Sequence, residues 1–328
     1  MTEPAAGAPG PRTGGAVARL TGLAGAALKV SGSPAARVAV VLVAAGLAVW
    51  ALVAEWDGVR AAASRVSPLA LVAALAVTLA SVGAAGMVWR AVLGDLGSWI
   101  SVRVAARIFF IGQLGKYLPG SVWPVVMQAE LGADAGLPRR RTASATVVFM
   151  LVALASALLV VVGCLPLVDV VPDGFELAVL LVVPVLVVLH PRVLVPGIDR
   201  VLGVLGREPL GRPTTVAGTV RALAWAVASW VGAGGQVAVL AVALGAPADA
   251  DTVLLAIGGY TLAWAVGFVV VVAPAGAGPR EAALLAVLSP VLDRGGLLVL
   301  VLASRVLFTL ADLMTAGAAV LAARRRRA

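Results

Sequence analysis

Six apolar runs, at about 37–54, 67–89, 142–166, 175–195, 219–245 and 295–322, are each long enough to cross a bilayer. About 20 apolar residues of helix match the hydrocarbon thickness. A water-soluble fold has no way to bury so many. Of the 328 residues, 61% are hydrophobic and 12% charged, whereas a soluble domain is about a quarter charged. The chain is therefore read as an all-α polytopic membrane protein.

The net charge of +9 does not imply nucleic-acid binding. The basic residues fall at the ends of apolar runs and form no aromatic-interleaved surface, which fits retention of loops on the cytoplasmic side. With the N-terminus inside, that side collects Arg12, Arg19, Lys29, Arg37, Arg90, Arg103, Arg107, Arg139 to Arg141, Arg192, Arg200, Arg207, Arg212, Arg221 and Arg324 to Arg327. The outer side receives Arg60, Arg65 and Arg294, and Lys116, Arg280 and Arg305 fall within the bilayer region. Both termini are expected in the cytoplasm of a cell-membrane protein. Residues 1–36 read as a flexible cytoplasmic arm, 37–322 as the membrane domain and 323–328 as a basic tail. "MTEPAAGAPGPRTGG" lacks the pattern of a cleaved signal, and 17–30 could lie on the membrane surface as a weak amphipathic helix.

Two further regions, about 101–131 and 253–293, are apolar but broken by Pro and Gly. The charge bias makes the first enter and leave from the inside and the second from the outside. Each is a re-entrant hairpin or a pair of short crossings, giving six spans plus two hairpins, or eight or more helices. Each half, about 37–166 and 175–322, then has two spans, a hairpin and a third span. Equal order with opposite entry is the arrangement of inverted repeats. Residue-by-residue similarity between the halves is weak, so this expectation rests on topology.

Within the first hairpin, "GQLGKYLPGSVW" (112–123) holds Gln113, Lys116 and Tyr117, with Gln128 just beyond. Pro119 and Gly120 predict a helix ending near Leu118, and Trp123-Pro124 predicts a second break. Unpaired backbone groups and a buried cation are costly in hydrocarbon unless they line a polar cavity. Snorkelling of Lys116 to the inner interface is the plain alternative.

In "APAGAGPREAALLAVL" (273–288), Pro274, Gly276, Gly278 and Pro279 form the turn, and Pro279 is placed to begin the next helix. Glu281 then falls in its first turn and can cap it; Arg280 precedes it. Arg305, about 15 Å deep along the last span, is expected to pair with Glu281 or with Asp312, which shares its helical face. A headgroup phosphate is the functional alternative partner for its guanidinium.

The remaining motifs carry little chemistry. Cys164 and His190 are each single, so a Cys-based metal cluster is excluded and a His-based triad is not expected. "DAD" (249–251) resembles the metal-holding DxD of sugar-nucleotide enzymes, but Asp251 reads as a helix N-cap. No cofactor and no metal are expected. Gly232 and Gly235 read as close helix-packing positions.

Together, "FFIGQLGKYLPGSVWPVVMQAEL", "VWRAVLGDLG" (88–97) and "APAGAGPREAALL" resemble the lysylphosphatidylglycerol synthase transmembrane-region family. The resemblance covers most of 37–322. It implies a flippase-type domain, as in the multiple peptide resistance factor, with Pro119, Gly120, Pro274, Gly278 and Glu281 as the matching motif residues. "SVWPVVMQAE" departs from the Gly and Arg that follow the first motif in relatives, which implies a different headgroup. No soluble aminoacyl-transferase domain is expected after Arg327.

The leading expectation is thus a translocator of an anionic, aminoacylated or glycosylated lipid or polyprenyl-phosphate carrier, not an enzyme. Its substrate site would be drawn from Gln113, Lys116, Tyr117, Pro119, Gly120, Gln128, Arg280, Glu281, Arg305 and Asp312. Lys116 and Arg305 would attract the phosphate. Membrane lipids are the expected partners, with a membrane glycosyltransferase or a second copy of the chain as further partners. The alternatives are a membrane enzyme acting on a lipid-linked sugar, with Asp249, Asp251 or Glu281 as acid, base or metal ligand, and an accessory scaffold for a glycosyltransferase.

Overall fold

A computed structural model describes residues 53–117, 122–168, 215–269 and 278–324, with isolated positions 187, 193, 196 and 200. The protein is an all-α polytopic membrane protein. Nine α-helices are described: α1 Trp56–Ala63, α2 Pro68–Asp95, α3 Val102–Gln113, α4 Trp123–Asp134, α5 Arg139–Cys164, α6 Val216–Ala243, α7 Ala250–Val269, α8 Pro279–Leu288 and α9 Arg294–Arg324. Five of them (α2, α5, α6, α7 and α9) are long and apolar enough to cross a membrane. The expected spans at 37–54 and 175–195, the N-terminal arm and the turn residues Pro119, Gly120, Pro274 and Gly276 lie outside the described residues, apart from a few positions.

Helices α2 and α6 form the centre. Each has 28 residues, and each starts at a hydroxyl N-cap. Ser67 Oγ accepts from the Ala70 amide and Thr215 Oγ1 from the Gly218 amide, satisfying donors that a helix start leaves open. They run antiparallel. Asp95, closing α2, accepts from the Thr215 amide at 2.7 Å and hydroxyl at 2.6 Å, while Arg65, just before α2, donates to the Leu244 carbonyl at the end of α6 at 3.2 Å.

At the crossing, Ser81 Oγ donates to the Ser229 carbonyl at 2.8 Å and Ser229 Oγ donates to the Ser81 carbonyl at 3.0 Å. The two serines are 148 positions apart, and that spacing recurs. It relates the N-caps Ser67 and Thr215, and the N-caps Ser101 and Asp249, which accept from the amides three residues on. It also relates Gly97 and Gly245, whose φ values are +91° and +108°. Both helices end in the same way around those glycines, Ser98 N–H to the Leu93 carbonyl and Ala246 N–H to the Ala241 carbonyl. That six-to-one bond needs a left-handed residue before its donor.

Packing repeats the pattern. Gly86 of α2 lies against Phe109 and Phe110 of α3, and Gly234 of α6 lies against Ile257 of α7; Phe109 and Ile257 are again 148 apart. Helix α3 packs on α9, and α7 packs on α5. Of the glycines read as packing positions, Gly232 faces Ser81 closely, whereas Gly235 has room beside Val77. Gly234 makes the tighter approach.

The α-helix at 102–113 tightens into a 3₁₀ turn at Leu114–Tyr117, which agrees with a helix end near Leu118. Two local expectations change. Pro124 occupies the first turn of α4, where its missing amide costs nothing, and it starts a helix where a break was expected. The cap of α7 is Asp249, whose Oδ1 accepts from the Thr252 amide at 2.9 Å, which leaves Asp251 in the first turn. In the second broken region the arms are unequal. The 20 residues of α7 reach about 30 Å, the 10 residues of α8 only about 15 Å.

Candidate functional site

The site lies along one face of α9, a helix of 31 residues about 46 Å long. Arg305 and Asp312 are seven residues apart, nearly two turns, so their side chains leave the same side. The two broken regions each deliver a partner to that side. From the first, Lys116 Nζ comes to 2.6 Å of Asp312 Oδ2, and the Tyr117 hydroxyl donates to the same oxygen at 2.6 Å. From the second, Glu281 Oε1 receives the Arg305 guanidinium in a short ion pair. Both pairs sit roughly 16 to 27 Å from the start of α9.

The local chain explains why these groups can meet. At Gly115 a Cβ would come to 2.9 Å of the Pro124 nitrogen and the Trp123 carbonyl carbon. Only the missing side chain lets the 3₁₀ turn lie on the start of α4, and that turn carries Lys116 to α9. In the second region Gly278 has φ +95°, a conformation that favours glycine. Its amide donates to Glu281 Oε2 at 2.6 Å, and Pro279 follows in the first helical turn. Glu281 thus caps α8 with one oxygen and holds Arg305 with the other, joining both roles expected of it.

Asp312 is 4% exposed. A carboxylate so buried is stable as an anion only when paired and hydrogen-bonded, and Lys116 with Tyr117 supplies both. Lys116 and Arg305, the cations expected to attract the substrate phosphate, each face a carboxylate here. Of the two partners weighed for Arg305, Glu281 is the one it meets.

Arg280 stands apart. Its guanidinium donates to the Tyr260 hydroxyl and lies 4.8 Å above the Tyr260 ring and 5.7 Å from that of Phe308. Those rings stack at 5.4 Å with 16° between planes. Among the described residues Arg280 makes no ion pair. Three cations and two anions therefore occupy the site, with the excess positive charge on a residue held by aromatic faces.

Tyr260 and Phe308 were not singled out from the sequence. A signal existed: the chain has two tyrosines, and both hydroxyls engage charged side chains here. Gln128 is not brought to the ion pairs. It is fully buried, packs on Gly112, and its Oε1 accepts from the Thr146 hydroxyl at 2.5 Å, which in turn accepts from Trp89 Nε1. Gln113 is half-buried at the end of α3. Among the described residues, no group of three His, Cys, Asp or Glu is arranged to hold a metal.

A sequence model described as the lysylphosphatidylglycerol synthase TM region matches residues 35–317. No curated protein matches the chain.

Proposed function

Because the chain belongs to the lysylphosphatidylglycerol synthase TM-region family, we propose that it translocates an anionic membrane lipid, with the headgroup phosphate received by Arg280. One observation carries this reading: of the charged side chains gathered on α9, Arg280 alone has no counter-charge among the described residues, while both neighbouring cations do. A guanidinium over aromatic rings that spends one N–H on the Tyr260 hydroxyl has further N–H donors to offer phosphate oxygens. An aminoacylated or glycosylated headgroup, or a polyprenyl phosphate, would present that same group.

In this reading the broken regions are hairpins whose tips bound a wet chamber at mid-membrane, and the halves are inverted repeats. The recurrence of 148 in caps, turn glycines and the reciprocal serines supports the second point. Rocking of the halves about the α2–α6 crossing would open the chamber alternately to each leaflet. The protein would sit in the cell membrane with its Arg-rich end and both termini in the cytoplasm.

The test is reconstitution into vesicles with a fluorescent phosphatidylglycerol analogue. Leaflet exchange faster than in protein-free vesicles, and faster than for a zwitterionic analogue, is expected. Glu281→Gln and Lys116→Ala should slow it. Exchange at the protein-free rate would sink the translocation reading, and unchanged rates in both variants would remove the ion pairs from it.

A further inference from the structure

The Arg-rich end of the bundle holds a second gathering of cations that shares no residue with the α9 site. Trp99 lies in the turn between α2 and α3, 58% exposed. Its ring rests on Gly94, where an added Cβ would come within 2.7 Å of the indole, so the ring is fixed against α2. Two guanidinium groups share this indole. Arg90 lies 5.7 Å and Arg221 5.4 Å from its centroid, and Arg90 is held there by its Nε donating to the Ile100 carbonyl at 2.9 Å.

Neither arginine makes an ion pair among the described residues. The nearby carboxylate of Asp95 is spent on the Thr215 amide and hydroxyl. Elsewhere at the bundle ends, arginines meet carboxylates: Arg65 with Asp293 at 3.2 Å, Arg139 with Glu130 at 2.8 Å, Arg294 with Glu55 at 3.7 Å. Two like charges on one ring repel, and an anion between them removes that repulsion.

The surroundings identify the anion. Trp99 stands where apolar helices give way to a polar turn, the depth at which indoles settle in a bilayer interface. Val102, three residues on, is 53% exposed, and Val220, beside Arg221, is 58% exposed, an apolar surface suited to acyl chain and of no use to a free ion. We infer that Arg90, Arg221 and Trp99 form a docking site for the phosphate of an anionic membrane lipid, separate from the translocation site.

The test uses the full chain in phosphatidylcholine nanodiscs containing a minority of phosphatidylglycerol, with bromine on the upper acyl carbons of one lipid or the other as a quencher. The share of Trp99 is obtained by difference from Trp99→Phe. Phosphatidylglycerol should be enriched at Trp99 by about fivefold for each guanidinium. Arg221→Gln, at an exposed residue with no hydrogen bond in the described structure, should lower the enrichment by about that factor. Arg90→Gln with Arg221→Gln should abolish it, and Arg280→Gln should leave it intact. Added inorganic phosphate should leave the preference standing; displacement by phosphate would overturn the lipid assignment. Equal quenching by the two lipids, or an unchanged ratio in Arg221→Gln, would overturn the site itself.

Discussion

Lys116 and Asp312 form an ion pair at 2.6 Å between the tip of one broken region and the last helix of the chain. A 3₁₀ turn built on Gly115 brings the lysine there. This contact ties the first broken region to α9 and leaves the cation of Arg280 without a counter-charge among the described residues.

Breaking that pair from one side leaves a buried charge without a partner. Lys116→Met, which leaves the buried Asp312 carboxylate without its counter-charge, is expected to destabilise the protein by about 3–5 kcal/mol. Combining Lys116→Met with Asp312→Leu should recover much of that loss while lipid exchange stays impaired. Thermal unfolding in detergent of the single and double variants checks this, and strictly additive losses would contradict it.

Much of the fold was legible in the sequence, because apolar runs and Arg-rich ends are properties of single segments. Helices α2, α5, α6 and α9 fall within a few residues of the runs that announced them. The Arg305–Glu281 pair was legible only as one of two alternatives, and the Lys116–Asp312 pair was not legible at all. Tyr117 and Asp312 are 195 positions apart, and nothing local says which carboxylate a lysine will meet. The 148-residue spacing was hidden for a different reason. Its identities, such as Ala80 with Ala228, Ser81 with Ser229, Gly86 with Gly234 and Gly97 with Gly245, are small residues in a chain full of them, and only shared caps and contacts set them apart.

The spacing predicts topology. Under inverted repeats, equivalent positions face opposite sides of the membrane, so single cysteines replacing Trp99 and Pro247, with Cys164 removed, should label from opposite sides. Labelling from the same side would contradict the repeat. Cysteines replacing Ser81 and Ser229, whose oxygens are 3.5 Å apart, should cross-link.

Gly115 should tolerate no side chain. With backbone atoms of Trp123 and Pro124 at 2.9 Å from an added Cβ, Gly115→Ala must push α4 from the turn, at a cost of about 1–3 kcal/mol. Lys116 then moves off Asp312. Lower stability with slowed exchange is expected; an unchanged melting temperature would show that the turn yields freely.

At the opposite end of the bundle, the Gly296 amide, and then Arg65, hold the Asp293 carboxyl below the usual carboxylate range. A depressed folded value means its contribution is present above the unfolded value and lost as pH falls through the folded one. Asp293→Asn should therefore lower stability slightly at neutral pH, converge with the wild type in acid and so flatten part of the acid limb, with a small magnitude because the group is exposed. Melting temperatures over that range decide it.

The most direct measurement is leaflet exchange of fluorescent phosphatidylglycerol by Arg280→Gln beside the wild type in the same vesicles. If Arg280 receives the phosphate, exchange falls by about tenfold or more, in keeping with the loss of a charge-assisted contact, while Arg280→Lys retains part of it and both variants fold. Wild-type exchange by a folded Arg280→Gln protein would contradict the account.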